Sequence, residues 1–327
     1  MLGEAIGNKI KKVDREIELK RPYEIVESYA DSIIRSKEHP LEFGIPSIDK
    51  VLMGDLRGKT AAIIGYGGTK KSLLSLNMVN HNANQHKSNA VYNSAEMSLN
   101  AMLGRMIDYS TEPSQKPLSN HLQNASRHIR QNLVKENRDS LVEILKNGLK
   151  EFYGDSLFIN SKNGMTYQKY KKLIGRYKEI TNSELDILAV DGLSMMGGEG
   201  NETSRVDENT MMLNELAKEE DIFIPIIVHA SKGESKHCRD LSHKARGSEK
   251  IVDNVDMVFT CSLIQDKINT GMYLNDLGYI RLWDKRGSGD IVSVVYDFDP
   301  HKLIMTESHI DPLDVEIEES TSFSKKY

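Results

Sequence analysis

Short apolar runs alternate with longer helical stretches along most of this chain. The runs are "TAAIIG" (60–65), "NAVYNS" (89–94), "SLFINS" (156–161), "LDILAVDG" (185–192), "IFIPIIVHA" (222–230) and "VDMVFTCSL" (255–263). They are continuous rather than alternating, so each strand expects cover on both faces. Strands of that kind, separated by helices, point to a largely parallel sheet with helices on both sides. A last segment, "GYIRLWDKRGSGDIVSVVYDFDP", reads as a hairpin turned at Gly287–Gly289, which adds an antiparallel edge. The fold class expected is α/β, doubly wound and mostly parallel, with a C-terminal antiparallel hairpin.

Three segments are expected. Residues 1–40 hold a charged stretch and then a helix opened by Pro22, with Ile25, Val26, Tyr29, Ile33 and Ile34 on one stripe. That helix either packs on its own domain or docks on a neighbouring subunit. The main domain spans 41–310, starting at "LEFGIPSIDKVL", with mostly helical patterning over 115–150. An acidic then polar tail, 311–327, closes the chain. At 327 residues and 39% hydrophobic composition the chain can bury a substantial core. No apolar run is long enough to span a membrane, and the N-terminus lacks the apolar core of a signal peptide. Two cysteines, Cys238 and Cys261, are too few for a disulfide framework or a zinc cluster, so a reducing cytoplasm is expected. The formal net charge of −5 argues against a simple DNA-coating protein, though a local basic groove is compatible with it.

The chemistry starts at "GYGGTKKSLL" (65–74), between a strand and a helix. It matches the phosphate-loop pattern G-x-x-x-x-G-K-[ST] except that Lys70 replaces the second glycine. Gly65, Gly67 and Gly68 allow a backbone that turns N–H groups toward an anion, with Thr69, Lys70 and Leu73 completing the cradle. Lys71 would reach the β- and γ-phosphates, and the Ser72 hydroxyl would join a Mg²⁺ shell. In the other register, with Lys70 on the phosphates, Lys71 would sit at the hydroxyl position and the metal would lose its ligand. Lys70 would carry strain of about 1 kcal/mol if its position needs positive φ.

Six other places could complete a nucleotide or nucleic-acid site. Asp191 ends an apolar strand, where phosphate-loop ATPases carry a second Mg²⁺ residue; such an aspartate also commonly caps a turn. Glu96 follows the second strand and could activate water, or could be a helix N-terminal glutamate favoured by the dipole. His229 ends another strand and could report on the γ-phosphate; a lone histidine is more often structural. The loop "SKGESKHCRDLSHKAR" (231–246) concentrates Lys232, Lys236, Arg239, Lys244 and Arg246 and suits a nucleic-acid backbone. The glycine-rich "GGEGNETSR" (197–205) is a weaker candidate for the same channel. Lys285 and Arg286 at the hairpin tip could reach a nucleotide on the next subunit.

Taken in order, "FGIPSIDKVL", "SAEMS", "LAVDGLSMM", "ARGSEKIVDNVDMV" and "DKRGSG" resemble the C-terminal motor domain of DnaB-type hexameric replicative helicases, phage and plasmid versions included. The resemblance covers roughly residues 40–300. It implies a RecA-like fold, a homo-oligomeric (hexameric) ring and ATP with Mg²⁺ at subunit interfaces. It also implies single-stranded DNA as partner, with a primase or loader besides. It makes Lys71 and Ser72 the phosphate and metal residues, Asp191 the second metal residue, Glu96 the base and His229 the γ-phosphate sensor. It places Arg246, Gly247 and Ser248 in the DNA-contacting loop, and Lys285 and Arg286 at the trans-acting finger. The helix at 22–37 falls where the family has the linker that clasps the neighbouring subunit. Departures are Lys70, the small N-terminal segment where a collar domain would stand, and an adjacent Lys-Arg pair with Asp284 in the other finger position. The reading is an ATP-dependent DNA helicase. The alternatives are a filament-forming RecA-like recombinase or mediator, and a nucleotide-binding structural protein with little turnover.

Overall fold

A computed structural model describes residues 21–54, 56–110, 134–135, 138–230, 250–264, 277–284, 291–299 and 304–312. The chain divides into two compact units between Glu38 and His39. In the first, a 3-10 turn (Pro22–Ile25) leads into helix α1 (Val26–Glu38). Its apolar stripe, Ile25, Val26, Tyr29, Ile33 and Ile34, is exposed.

The second unit begins with α2 (Pro46–Leu52), β1 (Thr60–Gly65) and α3 (Lys71–His81), which runs on into a π-turn (Asn82–His86). Next come β2 (Ala90–Ser94), α4 (Leu99–Ser110), α5 (Arg138–Tyr153), β3 (Leu157–Asn160), α6 (Tyr167–Thr181) and β4 (Ile187–Asp191). Helix α7 (Glu202–Glu220), β5 (Ile224–His229), α8 (Ile251–Asn254) and β6 (Met257–Leu263) complete the wound part. Strands β7 (Leu277–Asp284), β8 (Ile291–Asp299) and β9 (Ile304–Glu307) follow.

One sheet holds all nine strands, in the order β3-β2-β4-β5-β1-β6-β7-β8-β9. The pairings among β1 to β6 are parallel, and β7, β8 and β9 add on antiparallel beyond β6. The strands read as continuously apolar because both faces are covered. Along β1, Ala61 and Ile63 enter one core while Ala62 and Ile64 enter the other, as the period-two alternation of side chains requires. The first core adds Leu73, Leu76, Tyr92 and Phe259; the second adds Val91, Ile174, Leu213 and Ile226. This is the doubly wound, mostly parallel α/β fold.

The structure adds three differences. Strand β3 is an edge and only half-buried, so "SLFINS" is not fully covered. The segment "GGEGNETSR" is not all loop. The Asn201 side chain caps α7 by accepting from the Ser204 N–H at 2.9 Å, so residues 202–205 form the first helical turn. Helix α2 and strand β9 had no clear signal, being short and set by packing. The tip of the β7–β8 hairpin lies outside the described residues. Among the described residues no helix is long and apolar enough to cross a membrane.

Candidate active site

In this order β1 sits between β5 and β6, and β4 sits between β2 and β5. Parallel strands end on one side, so the carboxyl ends of β1, β2, β4 and β5 share one rim, where α/β sheets take their ligands. The register places Gly65 against His229 and Ser94 against Asp191. Two loop bonds tie the rim: Ala95 N–H donates to Asp191 O (2.8 Å) and Ala230 N–H to Gly65 O (2.9 Å).

The loop after β1 closes on one acceptor. The Tyr66 carbonyl receives the Thr69 N–H (3.3 Å), the Thr69 hydroxyl (3.0 Å) and the Lys71 ammonium (2.7 Å). Gly65 is obligatory, because a Cβ there would collide with Thr69 Oγ1 and stand 2.7 Å from the Cys261 carbonyl. Gly68 has φ +84°, and a Cβ on Gly67 would meet nothing within 4 Å, so the loop crest is open. Lys70 takes φ 65°, ψ 16°, the left-handed conformation that glycine adopts without strain. Its ammonium lies 4.2 Å from the centre of the Phe298 ring on β8, a cation–π contact of about 0.5–1 kcal/mol that offsets much of the strain. Leu73 turns its side chain into the core.

Lys71 and Ser72 open α3 above Asp191. Asp191 is 1% exposed, and its Oδ1 has no hydrogen-bond partner among the described residues. The Tyr92 hydroxyl, with one proton to share, lies 3.3 Å from its Oδ2 and 3.1 Å from the Ser72 carbonyl. Burial pushes the Asp191 pKa up, with Glu96 adding to it; the nearby Ser72 and Tyr92 side chains and the Arg105 charge oppose the rise. Burial likewise lowers the Lys71 pKa, against the pull of Cys261, Glu96 and Asp191. A buried carboxylate oxygen without a hydrogen-bond partner among the described residues, near a serine hydroxyl and a lysine, fits a divalent cation.

Glu96 and His229 meet at the mouth, Nε2 to Oε1 at 2.9 Å, though 133 positions separate them. That bond, against the opposing effect of burial, holds the Glu96 pKa below its usual value. Glu96 is not in the first turn of α4: the Ser98 hydroxyl caps the helix by accepting from Ala101 N–H at 3.2 Å. Ser94 Oγ instead accepts from Met97 N–H (3.1 Å), turning the chain so that Glu96 faces β5. Gly192 makes room for this. A Cβ there would lie 3.1 Å from Ala95 Cβ and 3.4 Å from Glu96 Cγ, and its φ is +107°.

Together these groups line a cleft of about 310 Å³ containing Gly67, Lys71, Ser72, Glu96, Arg105 and His229. Arg105 escaped the sequence reading; the only signal was its being the one basic residue of an otherwise largely apolar α4. Tyr92, Gly192 and Phe298 had no signal. Lys232, Lys236, Arg239, Lys244, Arg246, Gly247, Ser248, Lys285 and Arg286 lie outside the described residues.

Solved structures share the fold. The ATPase domain of G40P aligns with TM-score 0.69 over 88% of this chain and 99% of its own, at 13% identity. A DnaB-like replicative helicase, solved in a study of its interactions with primase, aligns at 0.65 over 90% of this chain and 68% of its own, also at 13%. The KaiC-like protein PH0186 from Pyrococcus horikoshii OT3 aligns at 0.53, 13% identity, over 82% of this chain and 98% of its own. No curated protein sequence matches the chain. The DnaB-like helicase C-terminal domain model does match, over residues 41–264. With most of the chain covered and the phosphate loop, Asp191 and the Glu96–His229 pair on one rim, this protein belongs to the DnaB-like helicase C-terminal domain family.

Proposed function

We propose that the chain is a Mg²⁺-dependent ATPase motor that translocates on single-stranded DNA and separates duplex DNA. The observation that carries this is the buried Asp191 Oδ1, without a hydrogen-bond partner among the described residues, near the Lys71–Ser72 helix start. Ser72 Oγ and Asp191 would hold Mg²⁺, which would supply positive charge to offset that of the phosphates. Lys71 leaves the Tyr66 carbonyl for the phosphate oxygens, and the N–H groups of Gly67 to Ser72 receive the rest. Glu96, kept ionised by His229, accepts a proton from the attacking water; His229 orients it and senses the γ-phosphate. Arg105 adds positive charge to the same cleft. Lys285 or Arg286 would serve a neighbour's nucleotide. Lys232, Lys236, Arg239, Lys244, Arg246, Gly247 and Ser248 would contact DNA at a ring centre.

The exposed stripe of α1 suits a clasp on a neighbouring subunit of a hexameric ring, with residues 1–40 as linker, 41–310 as motor and 311–327 as tail. A primase or loader would be a further partner, and the cytoplasm the setting (a host's, if the protein is phage-encoded).

The direct test is ATP turnover with and without single-stranded DNA. Stimulation by DNA, and its loss in Lys71→Ala by about 10²-fold or more, is expected; turnover indifferent to both would refute the motor. Lys70 gives a second test. Because its ammonium rests on Phe298, Lys70→Gly should keep or improve ATP affinity and move the Tm by no more than about 2 °C. Loss of ATP binding in that variant would make Lys70 a ligand and shift the loop register.

A further inference from the structure

Helix α3 carries a second cluster at the end remote from Lys71 and Ser72, roughly 15 Å along its axis. His81 closes the helix and His86 closes the π-turn. Both imidazoles reach the same carboxylate oxygen, Glu42 Oε2: His81 Nε2 at 3.1 Å and His86 Nε2 at 2.9 Å. The three ligand atoms all lie within 4.8 Å of one another.

The local backbone is built for this meeting. In an α-helix, residues five apart point about 140° away from each other. The wider turn, in which Lys87 N–H reaches back five residues to Asn82 O, returns His86 to the face of His81. The rings stand 5.4 Å apart at 70°. Lys87 ends the turn in a left-handed conformation, φ 54°. Glu42 is pinned by the buried Asn82, whose Oδ1 accepts the Glu42 N–H (3.0 Å) while its Nδ2 donates to the Glu42 carbonyl (2.5 Å) and to Met78 O (2.8 Å). At Gly44, φ +76°, a Cβ would come within 3.0 Å of the His81 ring. A glycine there lets the chain pass close over the imidazole.

The donor set is two imidazole nitrogens and one carboxylate oxygen. Mg²⁺ and Ca²⁺ favour all-oxygen shells; two imidazoles select zinc and its neighbours among the transition metals. A tetrahedral zinc with bonds of about 2.0–2.1 Å spaces its ligand atoms about 3.3 Å apart. The 2.9 and 3.1 Å separations need to widen by only a few tenths of an ångström. Side-chain exposures of 26% (His81), 21% (His86) and 33% (Glu42) let solvent reach the cluster. We propose that Glu42, His81 and His86 form a zinc site, completed by water, that staples the strand of chain around Glu42 to the far end of the phosphate-loop helix. No cysteine among the described residues takes part, and the site is separate from the proposed Mg²⁺ site at Ser72 and Asp191.

The experiment is a zinc titration of the chelator-stripped full chain, in excess Mg²⁺, against a chromogenic chelator. One equivalent per chain is expected. His81→Gln and His86→Gln should each weaken binding by about a hundredfold and Glu42→Gln by about tenfold or more. Cys238→Ser and His237→Ala should leave it unchanged, excluding the basic loop as the source. Zinc at a hundredfold excess over its Kd should raise the wild-type Tm by about 5 °C and leave that of His86→Gln unmoved. If a variant misfolds, Co²⁺ on the wild type decides: an intense four-coordinate visible spectrum bleached by zinc supports the site. A weak octahedral spectrum, zinc retained by both histidine variants, or no binding would overturn it, leaving two imidazoles hydrogen-bonded to a carboxylate.

Discussion

Replacing Glu96 with glutamine should cut steady-state ATP turnover by about 10²–10⁴-fold while ATP affinity stays within a few-fold. The amide keeps the shape of the carboxylate and can still accept a hydrogen bond from the His229 ring, which now lies 2.9 Å from Oε1. What it loses is the ability to take a proton. The His229 bond holds the wild-type carboxyl below its usual pKa, so the group is ionised throughout the neutral range and available as a base. In the proposed site nucleotide binding would rest instead on the Lys71 ammonium, now on the Tyr66 carbonyl, and the N–H groups of the loop, which the change does not touch. Single-turnover ATPase kinetics together with a nucleotide-binding titration separate the two effects. Strand displacement that survives the change would remove Glu96 from the chemistry, and loss of ATP binding would make it a ligand.

Asp191→Asn should have two effects of opposite sign. The apo protein should become more stable, by about 2–4 °C in Tm, while Mg-ATP turnover falls by about 10²-fold or more. The first effect follows from linkage. Burial raises the folded-state pKa of Asp191 above its unfolded value of 3.8. Its contribution to stability is therefore present below the unfolded pKa and is lost as pH rises through the folded one. Ionised, Asp191 places a charge inside the fold, with one oxygen lacking any hydrogen-bond partner among the described residues. Asparagine removes the charge, and its carbonyl can still accept from Tyr92, whose hydroxyl now stands 3.3 Å from Oδ2. The second effect follows from losing the anionic group proposed to hold Mg²⁺. Scanning calorimetry with and without Mg-ATP reads both: the variant should start higher and gain little. A lower apo Tm would mean that the carboxylate is satisfied in the fold and is not held ready for a cation.

The same residues show what sequence can and cannot express. "TAAIIG" and the helix from Lys71 to His81 were legible to the residue, because a continuous apolar run and a glycine loop are local signals. Asp191 and His229 were legible as strand ends for the same reason. Edge position was not: β3 reads like its neighbours, and only lateral pairing leaves it half-exposed. Arg105 was hidden because a lone cation on a helix says nothing about which cleft it faces. The Glu96–His229 bond was hidden because its partners lie 133 positions apart.

By itself, then, the sequence determined the alternation of strands and helices, the parallel character of the sheet and the strained Lys70 in a phosphate-type loop. Hydrophobic periodicity and backbone sterics act over a few residues and can be read there. Strand order, the shared rim, the resting place of Lys70 on Phe298 and the meeting of Glu42 with two histidines were decided only by the tertiary structure. Each depends on which surfaces bury each other across long stretches of chain, and no local pattern encodes that choice.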